Sequence, residues 1–198
     1  DAIAAGTLKN TPFVHVLSSL DRRQLSGTLL VWPDSTDEGA ARGPDAVHFQ
    51  KGYPVAGRFV EPAQNLWDGL LRLSARASAR WALFEGDLVG EDGVGDAVDP
   101  LALIAESLRT VTRNEALDAR VDSTLERLGD ATLRIQPGVD LRRYGFDRAE
   151  QALVGFLQAA PTDAASLVAG SGVPKARARR IIYMLAVTAA IAPDDERA

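Results

Sequence analysis

The sequence predicts an α+β fold, in which a small antiparallel sheet with helices on one side is followed by a small all-α domain. Three observations carry that prediction. Short runs of strand formers, bounded by Gly and Pro, recur between residues 28 and 85, and apolar residues at helical spacing dominate from residue 99 onward. Charge also divides unevenly: residues 1–130 hold 13 basic and 20 acidic side chains, whereas residues 131–198 hold nine basic and seven acidic. Such asymmetry marks two units with different partners. Gly129-Asp130 and then Pro137-Gly138 punctuate the chain, which places the boundary near Asp130, between domains 1–130 and 131–198.

The first helix opens at Pro12, where a missing N–H is tolerated, with Asn10 and Thr11 as caps. Phe13, Val16, Leu17 and Leu20 form its apolar face; His15, Ser18, Ser19 and Arg22 fall opposite, which makes His15 a surface residue. Ser26-Gly27 ends that helix, and residues 28–32 form a strand stopped by Pro33. Residues 34–44 read as a long polar loop. From Ala46 to Lys51 the pattern alternates, Val47 and Phe49 against His48 and Gln50. Gly52-Tyr53-Pro54 then connects to a partner strand at residues 55–59, closing a hairpin.

Leu66, Trp67, Leu70, Leu71 and Leu73 predict a second helix, and residues 80–85 a fourth strand, with Trp32, Trp67 and Trp81 as core packing. The glycine-rich stretch 86–96 lacks the Lys-Ser/Thr of a phosphate loop, and its four carboxylates repel phosphate; the residue order of a calcium loop is also missing. It reads as a solvated acidic loop. Asp99-Pro100 caps and opens a helix carrying Leu101, Ile104, Leu108 and Val111, and Leu117, Val121, Leu125 and Leu128 continue the helical pattern.

Composition removes much chemistry. Among 198 residues, 46% are apolar and 25% charged, enough to bury a core and fold. The absence of cysteine excludes disulfides, thiol nucleophiles and thiolate metal sites, and two histidines leave few soft ligands. His48 has no second histidine or carboxylate at ligand spacing. No Ser, His and Asp stand in a nucleophile-elbow context, and no lysine sits in a nucleotide loop. The expectation is therefore no catalytic, cofactor-binding or metal-binding residue. No apolar run approaches the roughly 18 residues of a membrane span, and no signal stretch opens the chain, so a soluble, cytoplasmic location without membrane insertion is expected. The start at Asp1 suggests a fragment of something longer. Only Lys9, Lys51 and Lys175 are lysines among 22 basic residues, a compositional bias from which no mechanism follows.

Gly6-Thr7-Leu8, the Pro12-Phe13 helix, Ser26-Gly27-Thr28-Leu29, the Ala46-Val47-His48-Phe49-Gln50-Lys51-Gly52 run and Pro54-Val55-Ala56-Gly57 together resemble the PATAN-type domain of bacterial response regulators and multidomain signalling proteins. The likeness covers about the first 125 residues. Its matching positions are structural: glycines at turns and alternating apolar residues on a sheet face. The resemblance implies a non-enzymatic interaction module in bacterial signalling, often tied to surface motility and pilus control. No receiver domain accompanies it here, so phosphorylation control does not carry over.

Beyond residue 130, Asp147-Arg148-Ala149-Glu150 has capping-box spacing and opens a helix with Leu153, Val154, Phe156 and Leu157. Pro161-Thr162 interrupts it, with Thr162 capping a short helix through Leu167 and Val168. Gly170-Ser171-Gly172 turns the chain, and Pro174 starts a longer helix with Ala178, Ile181, Ile182 and Leu185 inside. Three helices with a glycine turn before the third resemble a winged-helix or helix-turn-helix domain, and residues 190–193 lead into a truncated wing. At 100° per residue Lys175, Arg179, Arg180 and Tyr183 lie away from the inner stripe, and Arg177 adds a fourth basic residue. These five are the candidate contacts to a partner or to nucleic acid. So few cations on a chain of net charge −5, without Asn or Gln on that face, favour protein contacts. The leading function is thus a signalling or scaffold module acting through protein partners, in surface motility or polarity control, with self-association left open. The alternative is a transcription regulator that binds DNA through the second unit.

Overall fold

A computed structural model describes residues 1–33, 43–90, 93, 95–110 and 115–194. The predicted loop at 34–44 lies largely outside these residues, as do Glu91, Asp92, Val94 and Val111. The chain divides into Asp1–Ser107 and Leu108–Ala198. No helix among the described residues is long and apolar enough to cross a membrane.

The first unit contains β1 (Ala2–Thr7), α1 (Phe13–Arg23), β2 (Gly27–Trp32), β3 (Asp45–Gln50), β4 (Tyr53–Arg58), α2 (Leu66–Ser74) and β5 (Arg80–Phe84), and α3 (Pro100–Thr110) runs across the division. Its strands form one antiparallel sheet in the order β1-β5-β2-β3-β4. The fold is α+β, with the expected antiparallel sheet. Register puts Leu83, Leu29, Val47 and Gly57 in one row and Trp81, Val31 and Asp45 in the next, all on one face. Leu66 of α2 packs directly on Gly57, where a Cβ would stand 2.8 Å from its methyl carbon, so α2 covers this face. Arg76, just beyond α2, reaches the buried Asp45 at 2.7 Å.

Three local details differ from the pattern. Strand β1 has no sequence signal because Ala-Ile-Ala-Ala-Gly-Thr is poor in β-branched and aromatic residues, and only its pairing with β5 makes it a strand. Helix α1 ends at Gln24, in the left-handed conformation, and not at Gly27. Gly27 is required for another reason: a Cβ there would stand 2.3 Å from the Phe84 carbonyl oxygen of β5. On α1, Ser18 is buried and His15 half-buried, so the solvent face is narrower than the spacing predicts. The three tryptophans are half-buried.

The second unit holds α4 (Glu115–Leu128), β6 (Thr132–Ile135), a 3₁₀ turn (Leu141–Tyr144), α5 (Arg148–Ala159), β7 (Thr162–Asp163), α6 (Ala164–Gly170), α7 (Lys175–Val187) and β8 (Ile191–Pro193). It is not all-helical, because β7, β6 and β8 pair as a small antiparallel sheet. Strands of two to four residues are too short to display a period, which is why the pattern hides them. The expected wing residues instead form β8, paired with β6. The Asp147 capping box is present as predicted, whereas Asp163 caps α6 in place of Thr162. The division after Ser107 comes well before the Gly129-Asp130 punctuation. Helix α4 groups with α7, to which two of its carboxylates are ion-paired. With this division, Leu108–Ala198 carries 13 basic and 12 acidic residues, so the asymmetry in charge persists in weaker form.

Candidate partner-binding surface

Helix α7 follows Pro174, whose fixed φ suits a helix start but whose side chain offers no cap. Ala178, Ile181, Ile182 and Leu185 are buried, as the inner stripe requires, and Met184 is buried beside them. Each of the helix's arginines meets a carboxylate of the same unit. Arg177 pairs with Asp147 and, at 3.0 Å, with Glu150. Arg179 pairs with Asp122 of α4. Arg180 reaches Asp118 of α4 at 3.1 Å and points a second nitrogen at the Leu108 carbonyl. Lys175 is exposed and has no carboxylate partner among the described residues.

Tyr183 does not belong to this surface. It is 1% exposed, and burial pushes its phenol up to about 12 despite the opposing positive charge of Arg120. The expectation that it faces outward is therefore corrected: α7 is enclosed on more than one side, so its buried arc is wider than a single stripe.

Sequence reasoning found Asp147 and Glu150 only as a helix cap and missed that they hold the arginines. Glu150 closes the capping box from the third position of α5, and its Oε2 accepts the Asp147 N–H at 3.0 Å. The same carboxylate receives Arg109 in a fork, with Nε to Oε1 at 2.9 Å and Nη2 to Oε2 at 2.7 Å. Arg109 Nη2 also donates to the carbonyls of Gly145 and Tyr144. Burial would raise the Glu150 pKa, but the hydrogen bonds from Arg109, the Asp147 N–H and Arg177 outweigh it and hold the carboxyl below its usual range. Asp118 and Asp122, four residues apart on α4, did give a signal, since that spacing puts two carboxylates on one helix face.

A groove of about 560 Å³ adjoins the start of α7, lined by Leu125 of α4 and Gly129 just beyond it, Ala164, Ala165, Val168 and Ala169 of α6, and Lys175 and Arg179 of α7. Among the described residues the lining is apolar apart from those two cations. No protein-family model, curated protein or solved structure matches this chain.

In the first unit the polar group that most resembles chemistry is on the second face of the sheet. His48 Nδ1 lies 3.3 Å from the Thr28 hydroxyl and 4.0 Å from Asp87. Thr28 is committed to structure: it donates to the Gly86 carbonyl at 2.7 Å and accepts the Leu88 N–H at 2.9 Å. With its proton given to Gly86, the hydroxyl can only accept from His48, so His48 cannot activate it as a nucleophile. These bonds pin the turn after β5 over the sheet. No cluster of three potential metal ligands occurs among the described residues.

Proposed function

We propose that the chain is a non-enzymatic interaction module of bacterial signalling, a scaffold that acts through protein contacts in the cytoplasm, in surface motility or polarity control. The PATAN-type resemblance of the first unit supplies the signalling context. The observation that carries the protein-contact reading is the state of α7: Arg177, Arg179 and Arg180 already hold Asp147, Glu150, Asp122 and Asp118. A DNA phosphate would have to displace those carboxylates, so each arginine returns little free energy on contact. Counterion release by Lys175 alone gives negligible affinity.

The DNA-binding alternative retains one support, the helix–turn–helix order of α6 and α7. A salt-titrated anisotropy measurement with a labelled random duplex separates the two. The expected result is no binding tighter than the micromolar range of non-specific association at physiological salt. Sub-micromolar binding that is lost in the Arg179→Ala plus Arg180→Ala variant replaces this reading with the regulator one. For the absence of catalysis, hydrolase activity abolished by His48→Ala is the contrary result.

A further inference from the structure

We propose that the groove between α4, α6 and α7 is the docking site for an acidic amphipathic helix of a partner protein, with bulky apolar side chains on its floor and a carboxylate facing Lys175. The inference rests on the protein-contact reading and names the partner's chemistry. Its strongest support is the spacing of the lining residues. Leu125 and Gly129, Ala164 and Val168, Ala165 and Ala169, and Lys175 and Arg179 are each four residues apart on their helices or helix flanks. The walls are therefore i, i+4 ridges, the surface against which a further helix packs its own ridges.

Size points the same way. Ala165, Ala169 and Gly129 are exposed and carry a methyl group or nothing, so large side chains from a partner reach Leu125 and Val168 without obstruction. Charge then selects the partner. Among the described residues the only charged ones lining the groove are Lys175 and Arg179; Arg179 is held by Asp122, whereas Lys175 meets no carboxylate there. Pro174 provides no side-chain cap, so the positive end of the α7 dipole adds to the same rim. An apolar floor offers nothing to a nucleic acid, while an acidic amphipathic helix satisfies both floor and rim.

The test uses the intact chain and fluorescein-labelled helical peptides of about five turns, with Leu at i, i+3, i+4 and i+7 and Glu on the remaining face. Two controls replace every Glu by Lys, or every Leu by Ala. The acidic Leu peptide is expected to bind at least about tenfold more tightly than either control. Ala165→Trp fills the groove from an exposed position and should weaken binding by about tenfold or more with an unchanged circular dichroism melt. Lys175→Glu should shift preference to the basic peptide. Equal affinity for acidic and basic peptides, unchanged binding in Ala165→Trp, or no binding to any peptide overturns the proposal. If the chain also ignores duplex DNA, the protein-contact reading survives that failure; duplex binding through Arg179 and Arg180 removes the reading itself.

Discussion

Arg109 and Glu150 form a two-bond fork that joins the end of α3 to the first turn of α5, with both bonds at 2.9 Å or less. The Glu150 side chain is 2% exposed. Removing it takes the carboxylate from Arg109, which keeps only the Tyr144 and Gly145 carbonyls, leaves Arg177 with Asp147 alone, and frees the Asp147 N–H. Glu150→Ala is therefore expected to cost about 2–3 kcal/mol, less than for a fully buried pair because the Arg109 and Arg177 side chains keep some solvent. Arg177→Ala should cost less, because Arg109 still neutralises the carboxylate. Urea denaturation followed by circular dichroism measures both, and a Glu150→Ala shift below about 1 kcal/mol contradicts the assignment.

Acid should weaken the second unit in a definite window. Glu150 titrates below its ordinary 4.5, and Asp147, held by the Glu150 N–H and then by Arg177, titrates below 3.8. Asp163 is lowered by the Ser166 hydroxyl and N–H, and Asp140 falls to about 2 beside Arg142. With folded values depressed, the unfolded chain binds more protons in acid, so stability rises with pH there. The contribution is complete above about pH 5 and disappears as pH falls through the folded values. Denaturation midpoints at a series of pH values should be flat from neutrality to about pH 5 and then decline. The decline should be shallower in Glu150→Gln.

Two glycines with positive φ should respond differently to alanine. At Gly27 the new Cβ meets the Phe84 carbonyl at 2.3 Å, so β2 and β5 must separate; at Gly86 nothing lies within 4 Å. Gly86→Ala should cost about 1–2 kcal/mol from the backbone alone, and Gly27→Ala more. Comparable melting temperatures for the two variants are the adverse result.

Tyr144 is buried and its hydroxyl lies 2.7 Å from Thr188 Oγ1, which itself donates to the Met184 carbonyl at 2.9 Å. The phenol must then be the donor. Tyr144→Phe removes that donor but leaves Thr188 satisfied, so the expected loss is only about 1 kcal/mol. A loss above about 3 kcal/mol would mean that the phenol does more than this single bond.

Legibility in the sequence followed locality. The α1 face, the β3–β4 hairpin, the Asp99-Pro100 start of α3 and the Asp147–Glu150 capping box depend on residues within a few positions of one another, and all were readable. Strands β1, β6, β7 and β8 were not, because each exists only through a distant partner. The candidate surface was half legible. The cations of α7 stand out in the chain, but the identity of the carboxylate each one meets depends on α4 and α5.

By itself the sequence determined the α+β class, the helical second half, the absence of thiol chemistry and the excess of negative charge toward the start. These are properties of composition and short-range period. Tertiary structure alone decided that Tyr183 is interior, that α4 belongs with α7, and that three conspicuous arginines are already paired while Lys175 borders an apolar groove. The physical reason is that a side chain's charge is fixed by its residue type, whereas its availability depends on which groups the folded chain brings within a few ångströms of it.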